Sequence, residues 1–212
     1  MLLVLANEVA PDKRYHVEAL RRHLPDHEVY EFAARGGQPA LDGVDGVVIS
    51  GSTAGVYEAD EYPWMNDQKV LIRKLVEERI PTLGVCFGHQ IVNDALGGTV
   101  EHRGLRASLV DADLTADPLF DGVSSVLPAA HGDVVTGAGD GLEPIASLPD
   151  YPLFATRHRD APLWTVQYHP EFTADLLDRL RADFGWAATE HSFADVTAPR
   201  TYRNFAQLAA GY

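Results

Sequence analysis

Ile80-Pro81-Thr82-Leu83-Gly84-Val85-Cys86-Phe87-Gly88-His89-Gln90 reads as a short apolar strand, a sharp turn and the start of a helix. The chain's single cysteine stands at the turn, with a glycine at each second neighbour. Such an elbow is tight and strained, so the flanking positions must be small, and the residue at its apex projects above the sheet. The N-terminus of the following helix presents unpaired N–H groups and a positive dipole end, which favour a thiolate, the reactive form of cysteine. A lone cysteine beside a strand is more often a small buried hydrophobe. Gly84 and Gly88 turn the reading of Cys86 towards a nucleophile.

A cysteine nucleophile needs a base, and Leu163-Trp164-Thr165-Val166-Gln167-Tyr168-His169-Pro170-Glu171 offers one. The aromatic-rich run to Tyr168 predicts a strand ended by Pro170. On an extended segment His169 and Glu171 point to the same side, so Glu171 can orient the imidazole while His169 exchanges a proton with Cys86. Taken alone, His-Pro-Glu is a polar turn leading to a helix that starts near Thr173, with the acid near its N-terminus.

Together these two segments resemble the class I, or triad-type, glutamine amidotransferases, and the resemblance runs from the first strand to the final helix around Arg203-Asn204-Phe205. It implies an α/β, flavodoxin-like three-layer sandwich with a mostly parallel central sheet and an antiparallel extension. It also implies Cys86 as the nucleophile on the glutamine side-chain amide, His169 as general acid/base and Glu171 as the orienting carboxylate. Gln90 matches the family glutamine that contacts the substrate, and His131-Gly132-Asp133 matches a segment whose backbone groups around the glycine hold the amino-acid end of glutamine. The Phe87 N–H is expected to form half of an oxyanion hole, with the other half from Gly51 or Ser52. Here the chain departs from the family: where most members have Ser-Gly-Gly-Pro, it has Ser50-Gly51-Ser52-Thr53-Ala54-Gly55. No Gly-Lys-Ser/Thr follows that turn to make it a phosphate cradle. His89 and His131 are expected to be structural, since neither has a carboxylate partner in the pattern.

The resemblance implies glutamine or another γ-glutamyl small molecule as substrate, no cofactor, and a synthetase subunit acting in trans as partner. By size and by Gly88-His89-Gln90 the chain is similar to stand-alone GMP synthetase amidotransferase subunits. Ser50-Gly51-Ser52, Tyr62-Pro63-Trp64 and Cys86-Phe87-Gly88-His89 are similar to free-standing γ-glutamyl hydrolases of the same fold. A binding module that has lost the chemistry is disfavoured by an intact Cys86, His169 and Glu171.

The 212 residues suit one α/β domain spanning 1–212. Nine histidines and one cysteine show no zinc-type spacing. A single cysteine fits a reducing cytoplasm, and Met1–Ala6 lacks the basic lead of a signal peptide and reads as a buried strand. With 31 acidic residues against 17 basic, the net charge of −14 opposes binding to nucleic acid. Lys13, Lys69 and Lys74 are the only lysines, a balance like that of halophilic proteins.

Along the chain, Met1–Ala6, Glu28–Phe32, Val47–Ile49 and Thr82–Val85 are predicted strands. Lys13–Leu24, Asn66–Arg79 (apolar on Ile72, Leu75 and Val76) and Gly88–Leu96 are predicted helices. From Thr99 to Gln167, short strands between Asp, Gly and Pro turns predict antiparallel additions to the sheet. Asp175–Phe184 and Tyr202–Ala210 are expected as closing helices, with Gly185–Thr201 a surface loop.

Overall fold

In a computed structural model covering residues 1–212, an eight-stranded sheet has the order β2-β1-β3-β4-β10-β9-β8-β6. Strands β1 (Leu2–Leu5), β2 (His27–Tyr30), β3 (Gly46–Ile49), β4 (Thr82–Val85) and β10 (Leu163–Val166) are mutually parallel. Strands β6 (Asp113–Leu114), β8 (Leu142–Leu148) and β9 (Tyr151–His158) extend that sheet in antiparallel fashion. All four residues of β1, β3, β4 and β10 are buried, as strands covered on both faces must be.

Alternation along the strands divides the core. Leu2, Val4, Val48, Leu83 and Val85 pack towards α1 (Tyr15–Arg21) and α6 (Arg200–Ala209) with Leu20, Tyr202 and Phe205. Leu3, Leu5, Val47 and Ile49 face α2 (Phe32–Arg35), α3 (Trp64–Glu77) and α4 (Phe87–Ala95). The buried stripe of α3, Trp64, Met65, Gln68, Leu71, Ile72 and Leu75, follows helical spacing, with Val76 at its half-buried edge.

Several expectations are corrected. The first helix is only α1, preceded by a single 3-10 turn at Pro11–Lys13, because Pro11 starts a tight turn. Phe32 begins α2 rather than ending β2. The middle of the chain does not hold only short strands: β5 (Thr99–Asp111) and β7 (Val126–Gly137) run 13 and 12 residues. They pair into a separate two-stranded sheet instead of joining the main one. Ala107, Leu109, Val126 and Ala130 of this ribbon bury against Phe172, Leu180 of α5 (Leu177–Phe184) and Trp186. The stretch 185–201 is therefore not simply a surface loop: Trp186 is buried and Ser192 caps a 3-10 turn at Phe193–Asp195.

Candidate active site

Cys86 occupies the N-cap of α4 with φ 53° and ψ −106°, a conformation L-residues adopt only under constraint. The constraint is visible at its neighbours. A Cβ on Gly84 would lie 2.5 Å from the Gly88 carbonyl oxygen, and one on Gly88 would lie 2.3 Å from that of Ile49. Only glycine lets β4, α4 and β3 approach this closely. Phe87 opens α4, so its N–H has no acceptor within the helix.

His169 lies just past β10, the parallel neighbour of β4. It and Glu171 are not on an extended strand as expected. β10 ends at Val166, and a turn closed by the Phe172 N–H donating to the His169 carbonyl (3.1 Å) brings the two side chains together. His169 Nδ1 is 2.8 Å from Glu171 Oε1, and Nε2 is 3.2 Å from the Ala130 carbonyl oxygen. Both ring nitrogens thus face pure acceptors, and both carry a proton in this arrangement. Burial opposes a charged imidazole, but the Cys86 sulfur and the Glu171 carboxylate outweigh it and hold the His169 pKa well above the usual histidine value. For Glu171 burial acts upward, yet His169, His16 and the Tyr202 hydroxyl bring its pKa below the ordinary carboxylate range. Cys86 Sγ reaches the same Ala130 carbonyl at 3.7 Å. The Phe172 ring stacks on His169 with centroids 4.2 Å apart and planes 5° from parallel.

Ser52, Cys86, Gln90, Gly132 and Asp133 line one cavity of about 250 Å³ with Thr53, Tyr57, Glu58 and His102. His169 and Glu171 do not line it. Gln90 Nε2 donates to the Asp133 carbonyl and to Gln167 Oε1, each at 3.2 Å. Asp133 Oδ1 lies 2.8 Å from His102 Nδ1 and accepts from the Tyr57 hydroxyl at 3.3 Å. Gly132 is closely covered, since a Cβ there would come within 2.9 Å of the His102 ring. A Cβ on Gly51 would lie 3.6 Å from Cys86 Cβ and 3.4 Å from the His169 Cε1, so the Gly51-Ser52 loop adjoins both side chains. Ser52 tolerates the place of a glycine because its φ is negative, and its hydroxyl accepts from the Ala54 N–H at 3.1 Å.

His89 and His131 are neutral. Burial takes the His89 pKa down to about 3 and that of His131 down to about 4. His89 sits between Thr165 Oγ1 (2.7 Å) and the Tyr151 hydroxyl (3.0 Å), and His131 Nδ1 is 3.0 Å from the Asp133 carbonyl oxygen. Sequence reasoning missed Tyr202, whose hydroxyl donates to Glu171 Oε2 at 2.7 Å, and the stacking Phe172. It also missed the buried pair Glu8 and His16. Tyr202, Glu8 and His16 carry no local pattern, because each reaches the site from a distant element, whereas Phe172 lies in the same turn as His169.

The fold and the Cys86–His169–Glu171 grouping place the chain among α/β enzymes with a cysteine at a strand-to-helix elbow. The family model for class-I glutamine amidotransferases matches residues 13–183, and the chain belongs to that family. Curated relatives include the glutamine-hydrolysing GMP synthase of Mycolicibacterium paratuberculosis, 30% identical over 174 residues, covering 78% of this chain and 32% of that protein. The GMP synthase of Wolinella succinogenes is 35% identical over 157 residues, covering 70% and 27%. The chain thus spans only 27–32% of the length of these curated relatives. Among solved structures, a glutamine amidotransferase from Thermotoga maritima superposes with a TM-score of 0.71 at 17% identity, covering 98% of this chain and 94% of that one. One from Methylobacillus flagellatus gives 0.71 at 18%, with the same coverage. At these identities the structures attest to the fold.

Proposed function

We propose that this chain hydrolyses the side-chain amide of glutamine through a Cys86-His169-Glu171 triad and passes the ammonia to a separate synthetase. The observation that carries the reading is the placement of the His169 ring, between Glu171 and the carbonyl of Ala130 that Cys86 also approaches. Cys86 as thiolate attacks the amide carbon, and the oxygen takes up negative charge facing the N–H groups of Phe87 and of Gly51 or Ser52. His169 gives its Nε2 proton to the departing nitrogen, which leaves as ammonia, and a thioester remains. His169 then takes a proton from water, whose hydroxide attacks the thioester. The C–S bond breaks, the thiolate and imidazolium are regenerated, and glutamate leaves, its new carboxyl proton passing to the released ammonia or to solvent. Gln90, Gly132 and Asp133 hold the amino-acid end of the substrate. The GMP synthase relatives favour a GMP synthetase subunit as the ammonia acceptor.

A second reading, a free-standing γ-glutamyl hydrolase, is favoured by the rim of the cavity. Tyr57 and Leu105 line it and are each 60% exposed, an apolar surface suited to a leaving group larger than ammonia. The isolated chain, assayed with glutamine and a γ-glutamyl dipeptide with and without a GMP synthetase subunit and its nucleotide substrates, separates the two. Slow glutamine hydrolysis that the partner accelerates supports the amidotransferase subunit. Rapid dipeptide cleavage indifferent to the partner replaces it with the hydrolase.

A further inference from the structure

Glu8 and His16 form a second buried histidine–carboxylate pair that the reaction above does not use. Glu8 is 4% exposed and His16 6%, and His16 Nε2 lies 2.8 Å from Glu8 Oε2. The other oxygen, Oε1, accepts from the Thr53 hydroxyl at 2.6 Å, the Ala10 N–H at 2.8 Å and, at 3.4 Å, the Thr53 N–H. Burial opposes the charge on Glu8, but His16 and these donors keep its pKa below the ordinary carboxylate value. An ionised acceptor therefore ties the chain leaving β1 to the loop leaving β3. The preceding residue makes a parallel tie. The Asn7 N–H donates to Ser50 Oγ at 3.0 Å, and the Asn7 amide is locked by reciprocal bonds with Gln68 of α3 at 2.9 and 2.8 Å.

The loop is clamped at Ser50 and at Thr53. Between the clamps, the N–H groups of Gly51 and Ser52 enter no backbone hydrogen bond. His16 closes the same space from the side of α1: its Cε1 would lie 3.4 Å from a Cβ on Gly51, and its ring meets that of His169 edge-on with centroids 6.3 Å apart. His16 Nδ1 is buried without a partner in the protein, a costly state for an imidazole. Chains leave β1 and β3 in opposite directions across the sheet, because β2 and β4 flank them, and such switch points are where α/β sheets hold ligands.

We propose that Glu8, braced by His16, is a positioning residue for the oxyanion donor. Through Thr53 it holds the free N–H groups of Gly51-Ser52 rigid beside Cys86, so that they meet the substrate oxygen as its charge develops. A loop of glycine, serine and threonine left untied would have to order itself during the reaction and would stabilise the charge less. The inference rests on the amide-hydrolysis reading above and adds to it a residue that touches neither substrate nor Cys86.

The test compares Glu8→Ala, Glu8→Gln and Thr53→Val with the wild type, using whichever γ-glutamyl substrate the full chain turns over. Glu8→Ala is expected to lower kcat about 10- to 100-fold with KM within about threefold, because the lost interaction belongs to the transition state. Thr53→Val keeps the shape and loses one tie, so an intermediate loss is expected. Glu8→Gln retains an acceptor for Thr53 and is expected to recover most of kcat. Alkylation of Cys86 by iodoacetamide, which displaces iodide and forms no carbonyl oxyanion, is expected to proceed at the wild-type rate in all three. Wild-type kcat in folded Glu8→Ala, or a parallel fall in kcat and alkylation, overturns the positioning role. Should Glu8→Ala fail to fold, Thr53→Val and Glu8→Gln give the same comparison. A wild type inactive on both glutamine and γ-glutamyl dipeptides, with the synthetase subunit and its nucleotide substrates present as well as without them, removes the underlying reading and the inference with it.

Discussion

Cys86 holds a backbone conformation that costs about 1–3 kcal/mol at a non-glycine residue, and the close contacts at Gly84 and Gly88 maintain it. Because these contacts do not involve the sulfur, Cys86→Ala is expected to unfold at nearly the wild-type temperature while hydrolysis drops to background. A thiol-alkylating glutamine analogue is expected to label the wild type at one site, there being one cysteine. Turnover in Cys86→Ala would remove the covalent route. His169→Ala is expected to be as damaging, whereas Glu171→Gln, which still offers an acceptor to Nδ1, is expected to be roughly a hundredfold less damaging. Steady-state kinetics of the variants decide this order, and equal losses would give Glu171 more than an orienting role. The grouping of Cys86, His169 and Glu171 was legible because their neighbours mark them: two glycines flank one, and a proline separates the others. Glu8, His16 and Tyr202 were not, since an isolated acid, histidine or tyrosine in a short helix or loop has no local pattern to mark its partner.

At the scale of elements, α6 reaches back to the site. Tyr202 lies on its buried face with Phe205, and its hydroxyl donates to the otherwise fully buried Glu171. Tyr202→Phe is expected to lower unfolding free energy by about 1.5–3 kcal/mol, the worth of a hydrogen bond to a charged group. It is also expected to reduce kcat, because Glu171 is left with one strong partner. Chemical denaturation checks the first, and a variant as stable as the wild type would show that Glu171 finds another donor. The helical period of α3 was readable because its buried stripe is continuous. The β5–β7 ribbon was not, because alternating apolar residues predict strands without saying which partner they pair with. Val126 and Leu109 found α5 and Trp186 to cover them instead of the main sheet.

For the molecule as a whole, the buried histidines set the acid limb of stability. His89 and His131 titrate near 3 and 4 when folded, well below the usual histidine value of about 6.5. Between about pH 6.5 and 4 the unfolded chain binds protons at both that the native chain does not. Stability is therefore expected to rise with pH across this window, by up to ~1.4 kcal/mol per pH unit for each. His169 is protonated in both states there and adds no slope. Above that window its raised pKa acts oppositely, and its contribution is lost as pH rises through the folded value. Glu8 and Glu171, with lowered values, add stability present above about pH 4.5 and lost as pH falls through their folded pKa. Denaturant titrations at pH 4.5, 5 and 5.5 are expected to show this slope, and His131→Asn is expected to flatten it by one proton's worth. An unchanged slope in that variant would mean that His131 takes up a proton in the native state.

What the amino-acid sequence determined by itself was local. Apolar runs specified buried strands, two glycines at fixed spacing specified the elbow at Cys86, and the His-Pro-Glu spacing kept His169 and Glu171 close together. These need only neighbours along the chain, since sterics and side-chain period act over a few residues. Only the tertiary structure decided what faces the reactive groups. Ala130 offers its carbonyl to both Cys86 and His169 from β7, Tyr202 reaches Glu171 from α6, and Asn7 and Glu8 hold the Gly51-Ser52 loop from the end of β1. Those contacts join residues far apart in sequence: the parallel strand order sets the ends of β1, β3, β4 and β10 side by side, and the separate β5–β7 ribbon and α6 bring Ala130 and Tyr202 to them.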